Sequence, residues 1–293
     1  MEMNRVTICF ITARREPKVD WFLDSLQRQL RAEAPKVIVV SLFEDRRSEA
    51  RGVRCVPPKP NVWQGPHRLT KEDWWAISNA RNTGICLCET DWIAFLDDRC
   101  ILGDGWAQSV REAVAGGYAV CGAYEKRVGM EVAAGVLVTP GEVIGVDCRE
   151  PFARGGPMPA HGQWFFGCTS AAPLEWALAI NGYEERMDGL SFEDVIFGLM
   201  LTNAGYPLRY DPRMKIIEDR TPAELGTPPR RTDKGISPND KSHAALQQFG
   251  SLKRAGHQWD LRAVRAKVLA GEPFPIPTGP TTDWYDGQPL AEF

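Results

Sequence analysis

Two adjacent carboxylates, Asp97 and Asp98, end the apolar run "WIAFL" (92–96), and Arg99 follows at once. Like charges side by side at the end of a buried strand repel unless something neutralises them. A hard divalent cation would do so. Magnesium and manganese take oxygen ligands, often only one or two from protein, with phosphate and water completing the shell. Taken alone the pair is as readily a solvated turn, so the surrounding residues decide. In parallel α/β sheets, ligands gather beyond the carboxyl ends of the strands, where loops and helix N-termini converge. The strand-like "RVTICFI" runs into Thr12, Arg14 and Arg15, "KVIVVSLF" into Glu44 and Asp45, and "DWIAFL" into Asp97 and Asp98. These would ring one sheet edge with a hydroxyl, two arginines and four carboxylates. Such a set suits a cation carried with a phosphate-bearing ligand.

The elements that must position these residues follow from periodicity. The runs 5–11 and 36–43 are β-branched and apolar, the pattern of strands covered on both faces. Between them, "VDWFLDSLQRQLRAEA" (19–34) places Trp21, Phe22, Leu26 and Leu30 along a helical stripe. "TKEDWWAISNARNTGICLCE" (70–89) opens on a Thr N-cap candidate with acids in its first turn. "DGWAQSVREAVAGG" is a further helix, stopped by Gly116 and Gly117. Strand, helix, strand, helix predicts a parallel α/β sheet with helices on both faces. After about residue 118 the pattern shifts. Strands are expected at "YAVCGAYEKRV", "EVIGVDCRE", "YPLRYDP" and "MKIIED", and helices at 173–181, 192–205, 240–254 and 260–270. The expected organisation is a domain over 1–220, divided near 117, with a loop and helical C-terminal extension over 221–293.

Composition narrows the class. The chain has 293 residues, 43% hydrophobic and 25% charged, with a formal net charge of −3, ordinary for a globular protein. That balance gives no global pull toward nucleic acid or anionic membrane. From 227 to 267, however, nine Lys/Arg face three Asp, a basic stretch that is either a solvated face or a lid over an anionic ligand. The apolar start is too short for a signal-peptide core, and no stretch is long enough to span a bilayer. Eight scattered cysteines without zinc spacing predict reduced thiols and a cytoplasmic location.

"SNARNTGICLCETDWIAFLDDRCIL" resembles the core of GT-A-fold glycosyltransferases of the family-2 type, in which an Ala-Arg-Asn helix precedes a strand ending in an acidic motif. "WFFGCTSAAPLEWALAINGYEERMDGLSFEDVIFGLMLTNAG" is similar to the second half of these enzymes and of the galactosyltransferase-like group. The matching stretches cover roughly residues 5–217. The resemblance implies a GT-A mixed sheet flanked by helices and a donor that is a nucleotide sugar, a UDP-sugar by expectation, with Mn2+ or Mg2+. The acceptor would be a carbohydrate or other hydroxyl-bearing molecule, and hexosyl transfer would proceed with inversion. Thr12 and Arg14, with Glu44 or Asp45, would contact base and ribose. Arg81 would lie against the nucleotide or its phosphates. Asp97 would touch ribose or donor sugar, and Asp98 would bind the metal. Asp194 would be the general base and Glu193 would orient the acceptor.

One departure from the pattern is Arg99, which stands where a three-acid motif has a carboxylate and so would reduce the charge offered to a cation. Another concerns the further metal ligand that these enzymes draw from a later loop, commonly a histidine. Here Glu218 and Asp219 follow "MKII", and His243 is the other candidate. Trp164, just before Gly167, is the aromatic expected nearest the acceptor, and His161 is read as a loop histidine. Two alternatives stand beside this reading: transfer to a modified base in DNA, and a nucleotide-sugar-binding module that has lost catalysis. A nucleotidyltransferase is disfavoured, because "TARREPK" lacks the glycines of a phosphate loop.

Overall fold

The computed structural model describes residues 3–14, 16–30, 34–41, 43, 49, 51–60, 76–153, 156–188, 192–221, 238–257 and 260–276. Glu44, Asp45, the start of the predicted 70–89 helix and all of 222–237 lie outside the described residues.

All seven side chains of β1 (Val6–Thr12) are buried. Val6, Ile8 and Phe10 turn to one core and Cys9 and Ile11 to the other, because successive strand side chains point to opposite faces. In β4 (Trp92–Leu96), Trp92, Ala94 and Leu96 join the first core, and Ile93 and Phe95 the second. β1 pairs in parallel with β2 (Lys36–Ser41) and with β4, and β2 with β3 (Arg54–Val56). This is the parallel half expected from the sequence.

The second half departs from it. β11 (Thr169–Pro173) enters antiparallel between β4 and β6 (Ala119–Val128). Its sequence, "TSAAP", lacks bulky apolar residues, yet Ala171 and Ala172 are buried in the two opposite cores. β12 (Leu208–Asp219) runs parallel to β6, and β10 (Met158–Pro159) closes that edge. The expected separate strands "YPLRYDP" and "MKIIED" are therefore one strand. Its ladder shifts register between Asp211 and Ile216, and Pro212 falls in that interval, where it disrupts no regular pairing. The ten-stranded mixed sheet has the order β10-β12-β6-β11-β4-β1-β2-β3, with β5 (Cys100–Leu102) on β12 and β9 (Glu142–Val146) on β6. A hairpin of β7 (Glu131–Ala133) and β8 (Val136–Thr139) stands apart.

One face of the sheet is covered by α1 (Val19–Gln29) and α3 (Trp106–Gly116), the latter ending on left-handed Gly117. The other face carries α2 (Ile77–Leu87), α4 (Leu174–Ala179), α5 (Glu193–Asn203), α6 (Pro238–Phe249) and α7 (Leu261–Leu269). Gly84 lets α2 close on β1: a Cβ there would stand 2.3 Å from Cys9 Sγ. Phe249, Leu261 and Val264 are buried in the same core as α2, so the C-terminal helices complete this layer. Among the described residues no helix is long and apolar enough to cross a membrane.

Candidate active site

The parallel pairing of β1 and β4 brings Thr12 alongside Asp98. Phe10 stands opposite Leu96, so the next two residues of each strand emerge together at the carboxyl edge. Thr12 Oγ1 donates to Asp98 Oδ2 at 2.6 Å, and Arg14 Nε donates to Asp98 Oδ1 at 3.2 Å. The Arg14 backbone N–H returns to Thr12 Oγ1 at 3.1 Å. Both strand-end residues thus hold Asp98, where the sequence had suggested contacts to a base and ribose.

Arg81 is buried (1% exposed) near the start of α2. Its Nη1 donates to Glu193 Oε1 at 2.8 Å, and its Nη2 to Asp97 Oδ1 and the Gly167 carbonyl, both at 3.1 Å. The Tyr183 ring lies under the guanidinium, 5.0 Å from its carbon. Arg81 therefore joins three chain segments, and both terminal nitrogens are already satisfied by protein acceptors. Gly167 acts in both directions, since its N–H also donates to Asp194 Oδ2 at 2.8 Å. A Cβ at Gly167 would stand 2.5 Å from Arg81 Nη2, so this contact needs glycine. Val195 N–H donates to Asp194 Oδ1 at 2.8 Å. Two backbone donors thus aim the Asp194 carboxylate at the head of α5, which follows the left-handed Phe192.

The third component arrives on β12. Its antiparallel ladder with β5 sets Glu218 opposite Cys100, beside the Asp97–Asp98 turn. Glu218 Oε1 pairs with Arg220 Nη2 at 2.8 Å, while Glu218 Oε2 is buried without a partner. Arg99 needs correction here. It does not project into the acidic site to weaken it. Arg99 is buried and paired with Asp219, its N–H reaches Pro17 O at 2.8 Å, and its carbonyl accepts from Asp219 N at 2.9 Å. It adopts a left-handed φ of 56°, a conformation that costs energy for a residue with a Cβ. Its role is to fasten the end of β12 to the acidic turn.

These groups line one cavity of about 410 Å3, with Ile11, Ala76, Ile77, Tyr124, Phe166 and Asp188 among its other walls. Four cations (Arg14, Arg81, Lys126, Arg220) face six carboxylates (Asp97, Asp98, Asp188, Glu193, Asp194, Glu218). An anionic ligand entering such a site needs further positive charge. Burial pushes the carboxyls of Asp97 and Asp98 upward, against the pull of Arg81 on the first and of Arg14 and Thr12 on the second. Burial and neighbouring Asp194 also raise Glu193. Glu218 is pushed up to about 7, by burial first and by Asp97 and Asp98 next. A desolvated carboxyl with an orphaned oxygen beside two more acids is chemistry that a divalent cation would relieve. Among the described residues no group of three or more His, Cys, Asp or Glu forms a preformed metal cluster. The donor set nevertheless suits a magnesium- or manganese-type ion that takes few protein oxygens and completes its shell with phosphate.

His243 is exposed on α6 and does not line the cavity, so the structure does not bring it to the carboxylates. His161 is exposed, and Trp164 packs edge-on against Tyr210, 5.8 Å between centroids, outside the cavity walls. Phe166 lines the cavity instead, held by Arg149, whose guanidinium carbon lies 4.0 Å from its ring centre. Sequence reasoning also missed Gly167, Lys126, Arg220 and Asp188. Asp188 accepts from the N–H groups of Ser78 and Asn79 and so caps α2 from a remote loop. The one sequence signal for Gly167 was a glycine between aromatics and a strand; the others depend on tertiary placement.

No protein-family model matches the chain, and no curated protein matches its sequence. Solved structures match its fold. One is described as the crystal structure of GalNAc-T7 with UDP, GalNAc and Mn2+, with a TM-score of 0.54 and 10% identity over 94% of this chain. The match spans 59% of that chain, so this chain covers less than two thirds of its neighbour. The likeness is one of fold: the mixed sheet and its flanking helices form a GT-A-like architecture. It does not single out the family-2 type.

Proposed function

We propose that the chain is a glycosyltransferase that moves a sugar from a nucleoside diphosphate, with UDP as the nucleotide, to an acceptor hydroxyl with inversion. The observation that carries this reading is the meeting of Asp97–Asp98, Glu193–Asp194 and Glu218 around one cavity at the carboxyl ends of β1 and β4. In a GT-A-like sheet that edge is the ligand edge, and the neighbour of the same fold was crystallised with UDP, GalNAc and Mn2+.

Asp98 and Glu218 would hold the cation, with Asp97 turned to the donor. Bound there, the cation supplies positive charge to the diphosphate leaving group. Thr12 and Arg14 fix the Asp98 carboxylate. Arg81 fixes Asp97 on one side and Glu193 on the other, which sets the spacing between donor and acceptor sides of the cavity. Asp194, aimed by the N–H groups of Gly167 and Val195, accepts the acceptor's hydroxyl proton. That oxygen attacks the anomeric carbon as the bond to the diphosphate breaks on the opposite face. Inversion follows from this single displacement. All eight cysteines are free, which supports action in the reducing cytoplasm.

Two variants test the assignment. Asp98→Ala is expected to abolish thermal stabilisation by UDP with Mn2+. Asp194→Asn is expected to retain that stabilisation while transfer falls by about 100-fold or more. Near-wild-type transfer by both variants, against a panel of nucleotide sugars and acceptors, would overturn the reading.

A further inference from the structure

Glu218 has two oxygens in different situations. Oε1 is held by Arg220, and Oε2 is buried with no partner. The residue is only 5% exposed and lines the cavity. Arg220 is anchored at its main chain, where its N–H donates to Arg127 O at 2.7 Å, yet its side chain is 35% exposed along the cavity wall. The guanidinium can therefore pivot while its backbone stays fixed. Close by, Lys126 places its ammonium over the Tyr124 ring at 4.6 Å and forms no ion pair among the described residues.

We propose that Arg220 is an exchangeable stand-in for the divalent cation: it neutralises Glu218 until cation and diphosphate arrive, then turns its fork onto the diphosphate oxygens. This inference rests on the function proposed above and adds a residue and an order of events to it. The physical reason is competition for one carboxylate. A buried carboxylate needs a counter-charge at every stage, but a cation at the open Oε2 and the guanidinium on Oε1 would share one negative charge and repel one another. A cation arriving alone therefore weakens the hold of Arg220 on Glu218 and offers that charge nothing in return. A cation arriving with a diphosphate offers the planar guanidinium a bidentate anionic acceptor in exchange. Cation and nucleotide should consequently bind with positive coupling, each strengthening the other by the same factor. Lys126, already beside the site, adds to the pull on the diphosphate without taking part in the exchange.

The coupling makes a prediction of opposite signs within one variant. In Arg220→Gln, Mn2+ alone, followed by the paramagnetic resonance signal of the free ion at about pH 8.5, is expected to bind about tenfold tighter. That is the worth of one charge-assisted hydrogen bond no longer competing. UDP titrated calorimetrically in saturating Mn2+ is expected to bind about tenfold more weakly to the same variant. Arg220→Lys keeps the charge but not the fork. It is expected to leave the affinity for Mn2+ alone within about twofold of wild type, and to weaken UDP. Unchanged or weaker binding of Mn2+ alone to Arg220→Gln, with the ion still lost in Asp98→Ala, would overturn the exchange and leave the proposed function standing. Absence of any Asp98-dependent Mn2+ binding in the wild type would overturn both.

Discussion

Replacing Arg81 by Met is the sharpest test of how the site is held together. The side chain is 2% exposed and donates to two carboxylates and one carbonyl. Methionine fills much of the volume but donates nothing, so Glu193 and Asp97 lose their counter-charge. Removing one partner of a buried ion pair costs about 3–5 kcal/mol. Asp97 is 28% exposed at its side chain and can recover hydration, whereas Glu193 is 13% exposed and cannot recover as much. The lower end, about 3 kcal/mol, is therefore expected, with about 1 kcal/mol more for the abandoned Gly167 carbonyl. The pH dependence separates charge from packing. Burial and Asp194 already raise Glu193 above its ordinary value, and Arg81 opposes them; its loss raises Glu193 further. A carboxyl raised in the folded state destabilises that state where it is ionised, and the cost vanishes as pH falls to the unfolded value. The deficit of Arg81→Met should thus be greatest near pH 8 and shrink toward pH 5, as read from urea midpoints and slopes at several pH values. A deficit below about 1 kcal/mol, or one flat across that range, would refute the reasoning.

Three further outcomes are expected. Gly167→Ala should cost about 1–3 kcal/mol by pressing on the Arg81 fork, and much less in an Arg81→Met background, a non-additivity that a double-mutant cycle measures. Arg99→Asp restores an acid to the third motif position. It should not strengthen Mn2+ binding, because this side chain meets Asp219; stability should fall by about 3–5 kcal/mol as two carboxylates are buried together, which thermal melts would show. His257 is buried against Asn181 O at 2.9 Å, and burial lowers its pKa. Its neutral form is favoured in the fold, so stability should fall as pH drops through the unfolded value near 6.5. His257→Gln should remove part of that acid sensitivity.

Particular residues show what could be read in advance. The buried strands β1 and β4 and the stop of α3 at Gly116–Gly117 were legible, because burial on two faces and glycine at a helix end leave local patterns. Asp97 and Asp98 stood out by type and by their place at a strand end, and Glu193 and Asp194 only through the family resemblance of the motif around them; the structure places all four on one cavity wall. β11 was not legible, since "TSAAP" carries no strand period, and β12 was divided in two at its proline. Asp188 gave no signal of its own, and Glu218 stood only as one candidate beside Asp219 and His243, because a remote cap and a cross-strand neighbour are defined by partners about a hundred residues away.

By itself the sequence determined which acids and bases the chain owns and which strand ends could present them. Only the tertiary structure decided their employment: Thr12 and Arg14 hold Asp98, Arg81 joins Asp97 to Glu193, Arg99 turns away to Asp219, and Glu218 enters from β12. The physical reason is that residue type fixes what a group can donate or accept. Burial and the identity of its neighbour fix whether it is charged, satisfied or left open for a ligand.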